Sequence, residues 1–332
     1  MGTKLGNTFK HFLAMREGVL ILVIILVFVL MSFVSPYFLT SQTMLNLLIS
    51  FTIEGIIAVG MVLVLISGGM DLSAGANMGL CGVIAAMCYV NGLPLGTAVL
   101  IGLACGLGIG IANGFLISYV GLNPFICTLG MQMSLDGLMK IISVGRAVPV
   151  SGAFAILGAG KLLGVQLPVW ILLGIAVFIE ILLRKSRVFR QSYYVGGNEN
   201  AARLNGINVR KIKLSNYAIT GLLAGLTGIL LASRFETASI TVGGDTALKV
   251  LTACIIGGAS LSGGEGSVSG AILGVVFIQL LSSSFNIMDV NTFIKTFITG
   301  LILVAAITID VLNEKRKNTR IIAENQKNIE EV

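Results

Sequence analysis

Val19-Leu20-Ile21-Leu22-Val23-Ile24-Ile25-Leu26-Val27-Phe28-Val29-Leu30-Met31-Ser32-Phe33-Val34 carries a single hydroxyl and no charge. A helix that crosses a bilayer needs about 20 such residues. A second run, Ile56 to Ile66, is of the same kind, and the whole chain repeats the pattern: of its 332 residues 55% are hydrophobic and only 11% charged. A soluble domain carries about a quarter charged residues, and so few could not solvate the surface of a chain this long. These runs are membrane helices rather than core strands, and the fold class is all-α, a polytopic helical bundle.

Apolar runs between punctuation residues predict about ten spans, near 18–38, 46–67, 77–91, 95–120, 124–143, 168–184, 214–233, 248–261, 268–285 and 293–312. The prolines agree, since Pro36, Pro94, Pro124, Pro149 and Pro168 fall at or outside span ends, where a missing N–H costs little. The basic arm before the first run resembles a signal peptide. The run is long, though, and no small-residue cleavage site precedes Pro36, so a retained first span is expected.

The formal net charge is +7, and the placement of the 22 basic residues says more than their number. Three blocks hold most of them: Lys4, Lys10 and Arg16; the segment from Arg184 to Lys213; and Lys315, Arg316, Lys317, Arg320 and Lys327. Basic loops stay on the cytoplasmic side, so an even number of spans with both termini cytoplasmic satisfies all three blocks. Anionic lipid heads account for that charge, and the residue patterns of a nucleic-acid binder are missing. The expected organisation is a cytoplasmic arm (1–17), a transmembrane domain (18–312) with a large cytoplasmic loop (185–213), and a cytoplasmic tail (313–332). No connection is large enough to hold a soluble enzyme; the longest outer one is Val144 to Leu167.

Cys81, Cys88, Cys105, Cys127 and Cys254 lie inside apolar stretches without metal-ligand spacing, and read as small core residues. Glycines form small-xxx-small rows, Gly102, Gly106 and Gly110 in one span and Gly221, Gly225 and Gly228 in another, a signal for close helix packing in lipid. One octapeptide pattern occurs twice, Gly68-Gly69-Met70-Asp71-Leu72-Ser73-Ala74-Gly75 and Gly257-Gly258-Ala259-Ser260-Leu261-Ser262-Gly263-Gly264. Duplication and chance recurrence both remain open. Either way, helix breakers at membrane depth need a protein covering or a cavity.

Catalytic chemistry finds little support. The one histidine is His11, no phosphate-binding GxxxxGK[ST] loop occurs, and no nucleophile, metal cluster or acid–base set stands out. The chain is expected to be non-catalytic, with no cofactor and no metal. A gradient-driven secondary transporter is the rival reading, but it would want buried acid or histidine relays.

The large inside loop carries Tyr193-Tyr194-Val195-Gly196-Gly197-Asn198-Glu199-Asn200-Ala201-Ala202-Arg203-Leu204-Asn205-Gly206-Ile207. Asn198 is a good N-cap, Glu199 suits the helix dipole, and Gly206 can end the helix in a left-handed conformation. A two-turn helix is expected there, marginal alone and in want of something to dock against.

At this point the sequence resembles the permease subunits of bacterial ABC importers for ribose, other monosaccharides and the related quorum-signal sugar derivative. The resemblance runs from Phe38 to Asp310. It rests on Ala58-Val59-Gly60-Met61 through Gly69-Met70-Asp71-Leu72-Ser73, on Pro124 to Gly130, on Val195 through Val209, and on Gly257-Gly258 through Gly266. It implies that Glu199, Ala201, Ala202 and Gly206, with Asn198, form a coupling helix that docks on a cytoplasmic ATPase. It further implies two ATP-binding subunits, a second permease subunit, an extracytoplasmic solute-binding protein and a place in the bacterial inner membrane. The chain departs from the family at Ala247-Leu248-Lys249-Val250, where members carry a Tyr-Glu-Leu-Asp-like acidic stretch.

Polar residues inside spans are the candidates for a solute pathway: Asn46, Glu54, Asn113, Asn123, Gln132, Asp136 and Gln279, with Asn113 and Gln132 preferred. Asp71 and Ser73 sit in the first octapeptide. Asp71 is read as a cap for a helix beginning near Leu72 ahead of a solute contact.

Overall fold

The computed structural model describes residues 16–330. The basic arm with Lys4, Lys10 and His11 lies outside them. Thirteen α-helices follow in order: α1 (Arg16–Val34), α2 (Ser41–Ile66), α3 (Ala74–Val90), α4 (Leu95–Phe115), α5 (Pro124–Ile142), α6 (Ile156–Ala159), α7 (Leu167–Lys185), α8 (Arg187–Gly197), α9 (Glu199–Leu204), α10 (Val209–Arg234), α11 (Thr246–Ile256), α12 (Val268–Ile287) and α13 (Thr292–Glu330). A π-helical turn, Leu116–Val120, prolongs α4. The final helix runs through 313, where the sequence had suggested the start of a tail.

All ten expected spans fall on helices, and eight are long and apolar enough to cross a membrane. The other two, α3 and α11, are shorter. The largest departure is α11, expected over 248–261 but ending at Ile256. Gly258 takes φ +98°, and the amides of Gly258 and Ala259 turn back onto Ile255 and Cys254. At 1.5 Å per residue this helix rises about 16 Å, roughly half of a hydrocarbon core of about 30 Å.

The core is built around α2, whose residues Ile56 to Ile66 are all buried. A helix apolar on every side belongs at the centre of a bundle, and α10, α12, α7 and α11 surround it. The glycine rows do what their spacing predicts. A Cβ on Gly106 would stand 2.6 Å from the Gly221 carbonyl oxygen, one on Gly221 2.4 Å from that of Gly106, and one on Gly228 1.9 Å from that of Met78. Thus α10 lies backbone to backbone against α4 and α3. The outward faces of α1, α4, α5 and α13 stay apolar and exposed, with Phe33, Leu100, Ile126, Met133 and Phe297 among them, which suits contact with lipid tails.

The connection from α5 to α7 is ordered. Its strand β1 (Val148–Pro149) pairs antiparallel with β4 (Thr237–Ala238), and β2 (Lys161–Leu162) with β3 (Val165–Gln166) forms a small hairpin. Ser233 ties this cap to the end of α10, donating to the Phe154 carbonyl at 2.5 Å and accepting from the Gly158 amide at 2.6 Å. Two-residue strands leave the all-α class unchanged.

Candidate functional site

At the opposite end of α10 lies the loop that the sequence marked. Ser186 separates α7 from α8, and α8 is amphipathic, burying Ser192 and Val195. Asn198 caps α9 as expected, its Oδ1 accepting from the Ala201 amide at 2.9 Å. Gly206 takes φ +78°, the left-handed ending that its identity allows. Glu199 does more than face the dipole. It pairs with Arg203 one turn on and, through its other oxygen, with Lys213 Nζ at 2.6 Å, tying α9 to the start of α10. Partial burial pushes its carboxyl upward, but Lys213 and then Arg203 outweigh that and hold it below the ordinary carboxylate value.

The two alanines part company. Ala202 is 4% exposed and packs with Val195, Val209 and Ile212 in a small cluster of the chain's own. Ala201 is exposed, as are Asn200, Arg203 and Asn205, while Leu204 is 90% exposed. The resemblance implied a docking helix that includes both alanines; a helix periodicity of 3.6 sends consecutive residues to different sides, and the outward apolar residue is Leu204, which was not among the residues implied.

Behind α8, the two octapeptide turns meet. The Gly264 amide donates to the Ile66 carbonyl at 2.9 Å. A Cβ on Gly263 would stand 2.9 Å from the Gly68 Cα and 2.8 Å from the Gly196 Cα. A Cβ on Gly196 itself would fall 1.9 Å from the Ile66 oxygen and 2.5 Å from the Gly264 nitrogen. Tyr193 donates to the Gly266 carbonyl at 2.8 Å. Both turns use the same devices, a glycine-ended helix and then a side chain accepting from the amide two residues on: Asp71 from Ser73 at 2.9 Å, Ser260 from Ser262 at 3.3 Å. The second turn is anchored from outside itself, its Leu261 amide on Asp310 and the following Val268 amide on Glu180.

A family model described as branched-chain amino acid transport system / permease component matches residues 43–307, which takes in α2 through most of α13's apolar part. The chain belongs to this family. Among its relatives, the ribose import permease protein of Bacillus subtilis is 35% identical over 88% of this chain and 90% of its own length. The L-arabinose ABC transporter permease protein of Azospirillum brasilense is 36% identical over 92% and 89%, and the xylose transport system permease protein of Haemophilus influenzae is 32% identical over 84% and 91%. No solved structure matches. The chain is therefore a multi-pass membrane permease component.

Within this permease, Asp71, Ser73 and Asn113 come together. Asp71 is 1% exposed and accepts from the Ser73 hydroxyl at 2.6 Å, and Asn113 Nδ2 donates to that hydroxyl at 2.7 Å. The helix starts at Ala74 rather than near Leu72, so Asp71 braces the turn ahead of the helix. Asn113 Oδ1 is buried and accepts no hydrogen bond among the described residues. Gln132 stands elsewhere, reaching the Gly244 carbonyl at 3.2 Å. Asn123 caps α5, Asp136 pairs with Lys140 on the surface, Asn46 accepts from Gln42, and Glu54 and Gln279 line one cavity.

Sequence reading passed over the polar ladder between α10 and α2. Asn216 Nδ2 donates to the Leu63 carbonyl and to Ser192 of α8, both at 3.1 Å; Thr220 donates to the Gly60 carbonyl at 2.8 Å, and Tyr217 to that of Met70 at 2.9 Å. The available signal was Asn216 and Thr220 four residues apart on an otherwise apolar helix, which places them on one face.

Proposed function

We propose that this permease is the membrane-spanning subunit of an ABC importer that carries a sugar or sugar-like solute across the cytoplasmic membrane, both termini inside. ATP is hydrolysed by a separate ATPase subunit, a second permease chain completes the passage, and a solute-binding protein delivers from outside. The observation that carries the reading is α9: a six-residue helix, too short to persist alone, held out at one end of the bundle with Leu204 bare. Ala201, Leu204 and Asn205 are the face offered to the ATPase; Glu199, Ala202 and Gly206 hold that face in place. Relatives that span nearly the whole chain and are named for ribose, arabinose and xylose favour a sugar over the amino acids in the family's description.

Coupling follows from the packing. Gly196 of α8 packs against Ile66 at the end of α2 and against Gly264 of the second turn, so a shift of α8 and α9 by the ATPase bears on the ends of α2 and α11 together. Interfaces packed this tightly switch between discrete arrangements rather than deform smoothly. The Asp71–Ser73–Asn113 set braces the first turn through that movement. The test is copurification of the tagged permease with the ATP-binding subunit expressed beside it, and ATP-driven solute uptake by the pair. Capture of the ATPase is expected, and its loss on Leu204→Asp. An ATPase that ignores the chain, or uptake that persists without ATP, sinks the reading.

A further inference from the structure

A cavity of about 350 Å³ opens among α2, α10, α11, α12 and α13, at the end of the bundle away from α9. The last residue of α10, Arg234, lines it with Lys249 and Lys295 from the opening turns of α11 and α13, and Glu54 and Gln279 join them from midway along α2 and α12. Nothing in the coupling mechanism uses these residues.

Three observations bear on what the cavity holds. First, α11 is half a span, and the irregular backbone before it, with Val242 and Gly243 on the cavity wall, sits at membrane depth. Such backbone persists only inside protein or against a water-filled space, and interrupted helices mark binding sites in transporters. Second, Gln279 stands within hydrogen-bonding reach of the Glu54 carboxyl, yet Glu54 Oε2 is buried and takes no hydrogen bond among the described residues, although an unsatisfied acceptor there is costly. Third, the charges do not cancel. Against the one carboxylate stand Arg234, Lys249 and Lys295, and Lys249 and Lys295 both act on Glu54. Lys295 donates to Asn286 at 2.9 Å, and Lys249 makes no ion pair among the described residues. The N-terminus of α11 adds its partial positive charge on the same side.

From this arrangement we infer that the cavity is a solute site within the protomer and takes a small polyhydroxylated anion, a sugar acid or a sugar phosphate, rather than a neutral sugar. Lys249 and Lys295 hold the anionic group. Glu54 and Gln279 take up ring or chain hydroxyls, where the carboxylate's free oxygen accepts and the amide both donates and accepts. Ser50, Thr246 and Ser282 supply further hydroxyls on the wall. The inference rests on the permease reading for its direction of travel, and narrows the solute class within it.

The experiment uses the full-length permease in detergent at fixed ionic strength, titrated with D-gluconate, D-glucose 6-phosphate and D-glucose, with binding read by calorimetry and by the thermal midpoint. At least one anion is expected to bind and to raise the midpoint, glucose much more weakly, since charge-assisted pairs are roughly twice as strong as neutral ones. Lys249→Gln and Lys295→Gln, both half-buried and outside the coupling contacts, should each weaken the anion about tenfold or more, whereas Lys161→Gln, on the outer hairpin, leaves it unchanged. Glucose binding as tightly as the anions, anion binding indifferent to both lysine changes, or no binding of any of the three overturns the proposal. A permease that captures its ATPase and imports a neutral sugar while the cavity refuses anions keeps the permease reading and loses this one. Anion binding without any ATPase partner does the reverse.

Discussion

Ser73 shows how much one hydroxyl can hold. It donates to Asp71 and accepts from Asn113, so its removal takes one of two Ser73 hydrogen bonds from a buried carboxylate, which keeps the backbone amide, and leaves the buried Asn113 amide without that partner. Ser73→Ala is expected to lower stability by about 1–3 kcal/mol, the range for leaving buried polar groups unsatisfied, read as a drop in the thermal midpoint in detergent. Asp71→Asn keeps an oxygen to accept from the Ser73 amide and should cost less; normal assembly with abolished uptake in that variant would instead make Asp71 a solute contact. The alanines of α9 give a sharper contrast. Ala202 fills a closed cluster with Val195, Val209 and Ile212, where added volume strains well-packed neighbours, so Ala202→Trp should destabilise the loop itself and raise its susceptibility to protease. Ala201→Trp, on the exposed face, should leave the fold intact and abolish ATPase capture. Equal behaviour of the two would mean that the face is assigned wrongly. The family resemblance implied that both alanines belong to a helix that docks on an ATPase. Which of the two points inward depends on where α9 lies against α8 and α10, and local sequence does not encode that placement.

At the scale of elements, glycines told most and misled once. The rows in α4 and α10 announced a backbone contact, and the contact exists because lipid gives helices no hydrophobic reason to associate, leaving close approach to do so. The second octapeptide was read as the end of a span near 261, because apolar runs mark membrane depth but not where a helix stops within it; the stop at Ile256 is set by the turn at Gly257 and Gly258. Nor could local patterning reveal that both octapeptides converge on Gly196, a contact between segments far apart in the chain. That convergence carries a prediction. Gly196→Ala places a methyl group against the Ile66 carbonyl, backbone that cannot rotate away, so α8 must lift off the turns. ATP hydrolysis by the assembled complex should continue while uptake falls strongly, the signature of lost transmission. Gly206→Val, by contrast, meets open space but is strained at φ +78°, and should weaken ATPase capture instead. If Gly196→Ala transports normally, the glycine junction is packing without a role in coupling.

For the molecule as a whole, the arrangement of charge along the bundle gives an expectation of which end faces the cytoplasm, and structure and sequence bear on it independently. Glu17 at the start of α1 accepts from Ser267, and Asp310 in α13 accepts from the Leu261 amide, so the first and last spans return to the end that carries α8 and α9. That end also holds Arg184, Lys185, Arg187, Arg190, Arg203, Arg210, Lys211 and Lys213. The other end, with the ordered cap between α5 and α7, carries Arg146 and Lys161 on that cap. Since basic loops resist translocation, the α9 end should lie in the cytoplasm and the cap outside. Two exposed positions test this without touching a helix-capping residue or a packed side chain: Asn200 on α9 and Leu163, 84% exposed at the β2–β3 turn. In a background with Cys81, Cys88, Cys105, Cys127 and Cys254 replaced by alanine or serine, Leu163→Cys should react with a membrane-impermeant maleimide added to intact cells. Asn200→Cys should react only after the cytoplasmic side is opened. Labelling of both from one side would remove the even-span arrangement, and with it the contact between α9 and an ATPase that must lie in the cytoplasm to find ATP.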